Sequence, residues 1–305
     1  MPTIAVLGPG GVGGFLAAAL ARAGEPVVVV AREPTVEQIN AHGIDVNSER
    51  LGSFRAQPEA IAVLEDPVPV LLVATKATTL DSALDRIRVA PGLTVPLLNG
   101  FEHMRLLRRR FGPGQVAAGV IRVESTSPTP GRVIQTSPFL RVDLAADDPL
   151  VRPRLDPVAG MLRRAGIPTQ LASSEAHVLW SKLVRLVALA CTTSASGRTI
   201  GFIRSDPDWR RTLDACIQEA AAVADAEGAR VDPVATLAEL DKAHPGLGSS
   251  MQRDISAGRE PELDAIAGAV LRAATRHGIE CPTLARLSRQ VAERAGLAVG
   301  GRATD

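Results

Sequence analysis

The chain has 305 residues, 46% hydrophobic and 22% charged, a usage that supports a sizeable core and excludes global disorder. Its 34 Lys and Arg stand against 33 Asp and Glu, a net charge of +1 with no overall pull toward nucleic acid or an anionic membrane. Aromatics are 3% of the chain and Tyr is absent, so platforms for stacking bases are scarce as well.

At about 150 residues per domain, the length suggests two domains. Cys191, Cys216 and Cys281 lie far apart in sequence and make no CxxC pair. That spacing argues against a disulfide framework, predicts no metal site and fits a reducing compartment. No basic segment precedes the first apolar run, so no signal peptide is expected. Unbroken aliphatic stretches such as Val27–Ala31 are far short of the roughly 18 residues of a membrane helix. These features read as a soluble, cytoplasmic protein.

The first half alternates. Strands are predicted at Thr3–Leu7, Val27–Val30, Val70–Ala74 and Leu93–Leu97, and helices at Val12–Ala23, Thr35–Ala41, Thr78–Arg88 and His103–Arg110. Apolar strands with helices between them imply βαβ units around a parallel sheet buried on both faces. Gly43–Arg55 reads as a small hairpin. Gln115–Val123, Arg132–Gln135 and Phe139–Asp143 read as antiparallel additions to the sheet edge. A helix over Leu150–Ala165 and a short strand over Pro168–Leu171 follow. The rest is helical: Ser173–Ala190 (capped by Ser173 or Ser174), Trp209–Gly228, Asp232–Lys242, Glu262–Gly278 and Thr283–Ala295. The predicted fold is therefore α/β. A Rossmann-type, doubly wound domain spans residues 1–170 and an all-helical domain spans residues 171–305.

Gly8-Pro9-Gly10-Gly11-Val12-Gly13 is a GxGxxG between a strand and a helix. In that context Gly8 makes the tight turn, Gly10 admits a pyrophosphate and Gly13 lets helix and strand pack closely. The bland alternative is an ordinary glycine-rich loop. The end of the second strand reads Ala31-Arg32-Glu33, where an NAD site usually carries an acid for the ribose. Arg32 suits a 2′-phosphate and points to NADP. The competing reading makes Arg32 a solvated loop residue and gives the ribose to Glu33. Lys76, at the end of the third predicted strand, adds a positive charge near the nucleotide or is a surface lysine.

Asn99-Gly100 follows the strand Leu93–Leu97 at the expected carboxyl edge of the sheet, as a ligand contact or as a simple turn. Lys182 lies in the apolar stretch Leu179-Trp180-Ser181-Lys182-Leu183. Facing a cleft, it would be a desolvated proton donor; facing water, a snorkelling lysine. Ser249-Ser250 and Glu262 have helix-capping readings that periodicity does not separate from catalytic ones.

Together these pieces resemble the ketopantoate reductase (2-dehydropantoate 2-reductase) family. The resemblance runs through GxGxxG, Arg32, Val-Ala-Thr-Lys76, Leu-Asn99-Gly and Trp180-x-Lys182-Leu. It continues through Ser-Ser-Met-Gln-x-Asp-Ile-x-x-Gly-Arg, Glu-Leu-Asp and His277-Gly278-Ile279-x-x-Pro282-Thr. It implies a Rossmann domain followed by a 6-phosphogluconate dehydrogenase-like helical domain, with an active site between them. It implies NADPH reduction of a small-molecule 2-oxo acid or ketone to a D-type hydroxy compound, the pantoate step of pantothenate biosynthesis in the family's usual case. Carried over, Lys182 is the proton donor, Glu262 orients it, and Asn99 touches nicotinamide and substrate. Ser249 and Ser250 belong to the segment that holds the substrate tail, and Ser125 lines the nicotinamide pocket.

The chain departs from the family at Leu186, Ala190 and Ala267, where the family pattern has asparagines. Leu186 and Ala190 share a helical face with Lys182 and are expected on the substrate wall. An apolar wall loses selectivity for a hydroxylated substrate. A more apolar 2-oxo acid or ketone, or a non-catalytic NADP-binding role, are the alternatives to ketopantoate itself. The apolar C-terminal helices suggest a homodimer through that domain.

Overall fold

The computed structural model describes residues 3–297. The backbone divides into two compact units. One comprises Met1–Leu98 and Glu102–Val178, the other Asn99–Phe101 and the chain from Leu179 onward. The division falls inside a helix rather than at residue 170. The first turn of that helix stays with the first unit, where the Arg108 guanidinium pairs with the buried Glu175 carboxylate.

In the first unit, β1 (Ile4–Leu7), α1 (Gly11–Arg22), β2 (Val27–Val30) and α2 (Glu33–His42) follow in order. The hairpin β3 (Ile44–Ser48) and β4 (Gly52–Ala56) comes next, then β5 (Glu59–Ile61), β6 (Val70–Val73), α3 (Leu80–Leu84), β7 (Leu93–Pro96) and α4 (His103–Phe111). Five strands form a parallel sheet in the order β5-β2-β1-β6-β7. The chain starts in the middle, builds outward through β2, then crosses to the other side of β1. The loop after β1 therefore lies at the switch point, where doubly wound sheets bind ligands. Every residue of β1, β2, β6 and β7 is buried, as Val, Ile and Leu runs require when both sheet faces are covered.

Of the segments expected to extend that sheet, Gln115–Val123 meets its edge in one isolated bridge, Val116 to Thr94, which is parallel, and the named strands lie elsewhere. β8 (Ala118–Arg122), β9 (Ser125–Thr129), β10 (Arg132–Gln135) and β11 (Arg141–Ala145) belong to two smaller sheets, as does β12 (Thr169–Leu171), which follows helix α5 (Leu155–Arg164). One has the order β4-β3-β10-β9, with β10 parallel to β3 and antiparallel to β9. The other, β12-β11-β8, pairs β11 antiparallel to β8 and parallel to β12. For the β4-β3-β10-β9 sheet the reason is in the alternation. β3 buries every second residue, the pattern of a sheet with one solvated face, which does not suit a sheet covered on both.

The second unit is helical: α6 (Glu175–Ser196), most of which belongs to it, then α7 (Ile200–Ser205), α8 (Pro207–Ala226) and α9 (Pro233–Lys242). α10 (Ser250–Ser256), a π-helical turn at Asp264–Gly268, α11 (Ala269–His277) and α12 (Pro282–Arg294) complete it. Sharp starts come from capping carboxylates. Asp206 accepts the Asp208 and Trp209 amides and Asp232 accepts those of Val234 and Ala235, each followed by Pro at the first helical position. Glu219 on α8 reaches across to accept the Thr283 and Leu284 amides at the start of α12, both at 2.8 Å. By length and composition α6 would cross a membrane, with a mean hydropathy of 1.3 that counting unbroken aliphatic runs misses. Its most apolar stretch is 72% buried inside the protein, as befits a core helix.

Candidate active site

The glycine-rich loop shows why each glycine is there. Gly8 has φ +87° and a Cβ on it would lie 2.6 Å from Thr75 Cγ2. At Gly13 a Cβ would lie 2.2 Å from the Gly8 carbonyl oxygen, so helix α1 meets its own loop at a distance only glycine allows. Gly10, which caps the helix, faces open space, and the helix's first turn carries no acid. The first amides of a helix have no partner within it, and the dipole there favours an anion. Pro9 and Val12 complete the loop. Ser125 on β9 closes it from outside, its hydroxyl donating to the Gly11 carbonyl at 2.7 Å. The residues therefore fit a bound pyrophosphate.

Beyond β2, Arg32 is exposed at the N-cap of α2. Glu33 is paired. Arg86 places Nη1 3.3 Å from Glu33 Oε1, and the same nitrogen donates to the Ala62 and Ala31 carbonyls. The amide at the start of α2 and then Arg86 hold the Glu33 carboxyl below its ordinary range. Arg86 was not legible as part of the site: a lone arginine after a short helix gives no signal of where its guanidinium lands. Lys76 is exposed at the start of a 3-10 turn, Ala77–Thr79.

In the second unit the central feature is a pair. The Asn99 side-chain amide donates to Glu262 Oε2 at 2.9 Å, and Glu262 is only 8% exposed. A carboxylate oxygen accepts here, so the Asn99 side-chain nitrogen is the donor of this bond. Gly100, at φ +80°, follows, and then the Phe101 ring, which packs on Trp180 with centroids 4.9 Å apart. Trp180 is buried two residues before Lys182, which is itself half-buried on α6.

Of the two apolar replacements on α6, Leu186 is half-buried and Ala190 has no exposed surface; Ala267, in the π-helical turn, has none either. Ser249 is buried and caps α10, accepting the Gln252 amide at 3.0 Å. Its Oγ lies 3.0 Å from the Thr193 hydroxyl, which lies 2.7 Å from the Leu189 carbonyl. The carbonyl only accepts, so the Thr193 proton goes there and Ser249 donates to Thr193. Thr192 likewise turns back on its own helix, to the Ala188 carbonyl. Ser194 Oγ is buried without a protein partner. Ser250 is exposed, one residue beyond the cap.

The chain matches two family models, "Ketopantoate reductase PanE/ApbA" over residues 4–146 and its C-terminal counterpart over residues 176–295. It is 30% identical over 291 residues to the 2-dehydropantoate 2-reductase of Mycobacterium tuberculosis, covering 92% of this chain and 93% of that one. A crystal structure of 2-dehydropantoate 2-reductase from Methylococcus capsulatus superimposes with a TM-score of 0.84 at 26% identity, covering 98% and 99% of the two chains. The ternary structure of D-mandelate dehydrogenase with NADH and anilino(oxo)acetate shares the fold at a TM-score of 0.88 and 20% identity, covering 96% and 98%. With both halves matched and the glycine loop and the Asn99–Glu262 pair in place, the chain belongs to the ketopantoate reductase family.

Proposed function

We propose that the protein is an NADPH-dependent reductase that converts a 2-oxo acid into a 2-hydroxy acid, and that it prefers a substrate more apolar than ketopantoate. The observation that carries this reading is the buried Glu262 carboxylate held by Asn99 in the unit that bears Lys182. A carboxylate kept out of water and held by an amide donor is suited to aligning an ammonium donor.

Gly8–Gly13 and the α1 N-terminus would hold the pyrophosphate, and Arg32 the 2′-phosphate. The reduced nicotinamide, when bound, supplies the hydride to the carbonyl carbon. Lys182 gives one ammonium proton to the carbonyl oxygen, and its positive charge stabilises the alkoxide as it develops. The lysine is then reprotonated from solvent. Glu262 fixes the ammonium by accepting one of its remaining protons, and Asn99 fixes Glu262. NADPH is preferred over NADH because Arg86 already engages Glu33, the acid a ribose would use, and Arg32 lies beside it in sequence with its side chain exposed.

The substrate preference rests on Leu186, which keeps some exposed surface one turn beyond Lys182 and offers no hydrogen bond. The Thr192, Thr193 and Ser249 hydroxyls do not compensate, since each is spent on backbone or on its neighbour. The test compares ketopantoate with 3,3-dimethyl-2-oxobutanoate, which lacks only the hydroxyl, by following NADPH oxidation. We expect kcat/KM to favour the deoxy compound at least tenfold, about 1.4 kcal/mol. Efficient turnover of ketopantoate without that preference would return the protein to ordinary ketopantoate reduction. Tight NADPH binding with turnover of neither acid would make it a non-catalytic nucleotide-binding protein.

A further inference from the structure

The three residues Asn99, Gly100 and Phe101 belong to the helical unit although the chain on either side of them does not. Each makes a different attachment. Asn99 bonds Glu262, and Phe101 packs on Trp180. Gly100 has no side chain to bond with, and its backbone leaves no room for one: a Cβ there would lie 2.2 Å from the Ala265 carbonyl oxygen and 3.2 Å from its carbon.

That carbonyl is unusual. Ala265 lies in the π-helical turn, where the Ala269 amide donates five residues back to Asp264 rather than four residues back to Ala265. The donor that an α-helix would give Ala265 is thus taken. Widened turns of this kind carry an extra residue, bulge the backbone outward and recur at functional sites. Arg272 braces the start of the turn. It donates to the Asp264 carboxylate at 2.6 Å and to the Asp264 carbonyl at 3.2 Å. The Gly100 backbone therefore lies against the π-helical turn at Ala265, three residues from Glu262. An L-residue at position 100 meets two obstacles, the positive φ and the carbonyl, and neither yields as a flexible side chain would.

We propose that Gly100 is a positioning residue, which by docking on the π-helical turn sets the Asn99 amide against Glu262 and the Phe101 ring against Trp180. Gly100 acts through Asn99 and has no contact with reactants of its own. The proposal rests on the catalytic roles given above to Asn99, Glu262 and Lys182, and its test carries one readout that does not.

Gly100→Ala, Asn99→Ala and the double variant are compared in the Trp209→Phe background, where Trp180 is the only tryptophan. Gly100→Ala is expected to lower kcat at least tenfold, leave the NADPH dissociation constant within about twofold and alter Trp180 emission. The double variant is expected to be no slower than Asn99→Ala alone, because the glycine's effect passes through that amide. If Gly100→Ala does not fold, Phe101→Leu removes one attachment without touching the backbone and is expected to shift Trp180 emission and lower kcat. Losses that multiply in the double variant, or a Gly100→Ala protein with wild-type kcat and emission, would overturn the proposal. So would a Phe101→Leu protein with wild-type kcat. A wild-type protein inert toward every 2-oxo acid would defeat the functional reading instead, and Trp180 emission would still report whether Gly100 holds the segment in place.

Discussion

Arg32, the N-cap of α2, and Glu33 are consecutive and both exposed, and Glu33 is paired with Arg86. Arg32→Ala is expected to weaken NADPH binding at least tenfold and leave NADH binding almost unchanged, measured by nicotinamide fluorescence titration. Equal affinity of the wild type for both dinucleotides would instead return the ribose to Glu33. Lys182→Ala is expected to lower kcat by about 10² to 10⁴, the range of a positioned general acid, with little change in NADPH affinity. Near wild-type turnover would make it a structural lysine. The tight turn at Gly8 and the close packing at Gly13 were legible in the sequence because each demands glycine at a fixed spacing. Arg86 and the Asn99–Glu262 bond were not. They join positions 53 and 163 residues apart, and no local pattern encodes such distances.

Among the elements, α10 settles how Ser249 is used locally. Its hydroxyl caps the helix and links it to α6 through Thr193. Ser249→Ala is expected to cost about 1 kcal/mol of stability through the lost cap, with a further loss for the hydrogen bond to Thr193, read as a lower denaturant midpoint. Ser250→Ala, at an exposed neighbour, is expected to leave that midpoint within about 0.5 kcal/mol. The reverse ranking would mean that the cap is dispensable. Helices α8 and α9 were readable to within two residues, although the Asp-Pro pair at the start of each was not used to place them. The last strands were misassigned because a short strand names its own two faces but not its partner. The π-helical turn was invisible for a related reason. The sequence Asp-Ala-Ile-Ala-Gly is unremarkable for an α-helix, and the widening shows only in which amide meets which carbonyl.

At the scale of the molecule, the cysteines scattered in sequence all lie buried in the helical unit. Burial pushes the Cys191 thiol up to about 12, and burial with the nearby Glu219 carboxylate pushes Cys281 to about 11. Cys216 is raised as well, first by burial. The nucleophile is the thiolate, so iodoacetamide at pH 8 is expected to label none of the three in the native protein and all three in guanidinium. Rapid native labelling would contradict this burial. The linkage has a definite sign. Each folded thiol titrates above the unfolded value of about 8.5, so its contribution to stability is complete below pH 8 and is lost as the pH rises toward 11 or 12.

The chain visits the helical unit at Asn99–Phe101 long before it builds that unit. On a ribosome adding about 5–20 residues per second, Asn99 leaves synthesis well ahead of Glu262 and Ala265, by roughly 10 to 30 seconds. During that interval the strands on either side of the segment can already pair, while the three residues have nothing to rest on. A nascent chain released before Glu262 would keep its glycine loop and lose the anchor for Asn99. A stop just before the Glu262 codon would then yield a fragment that keeps Gly8–Gly13 and lacks the partner of Asn99, and on the function proposed above it would sequester cofactor without turning it over.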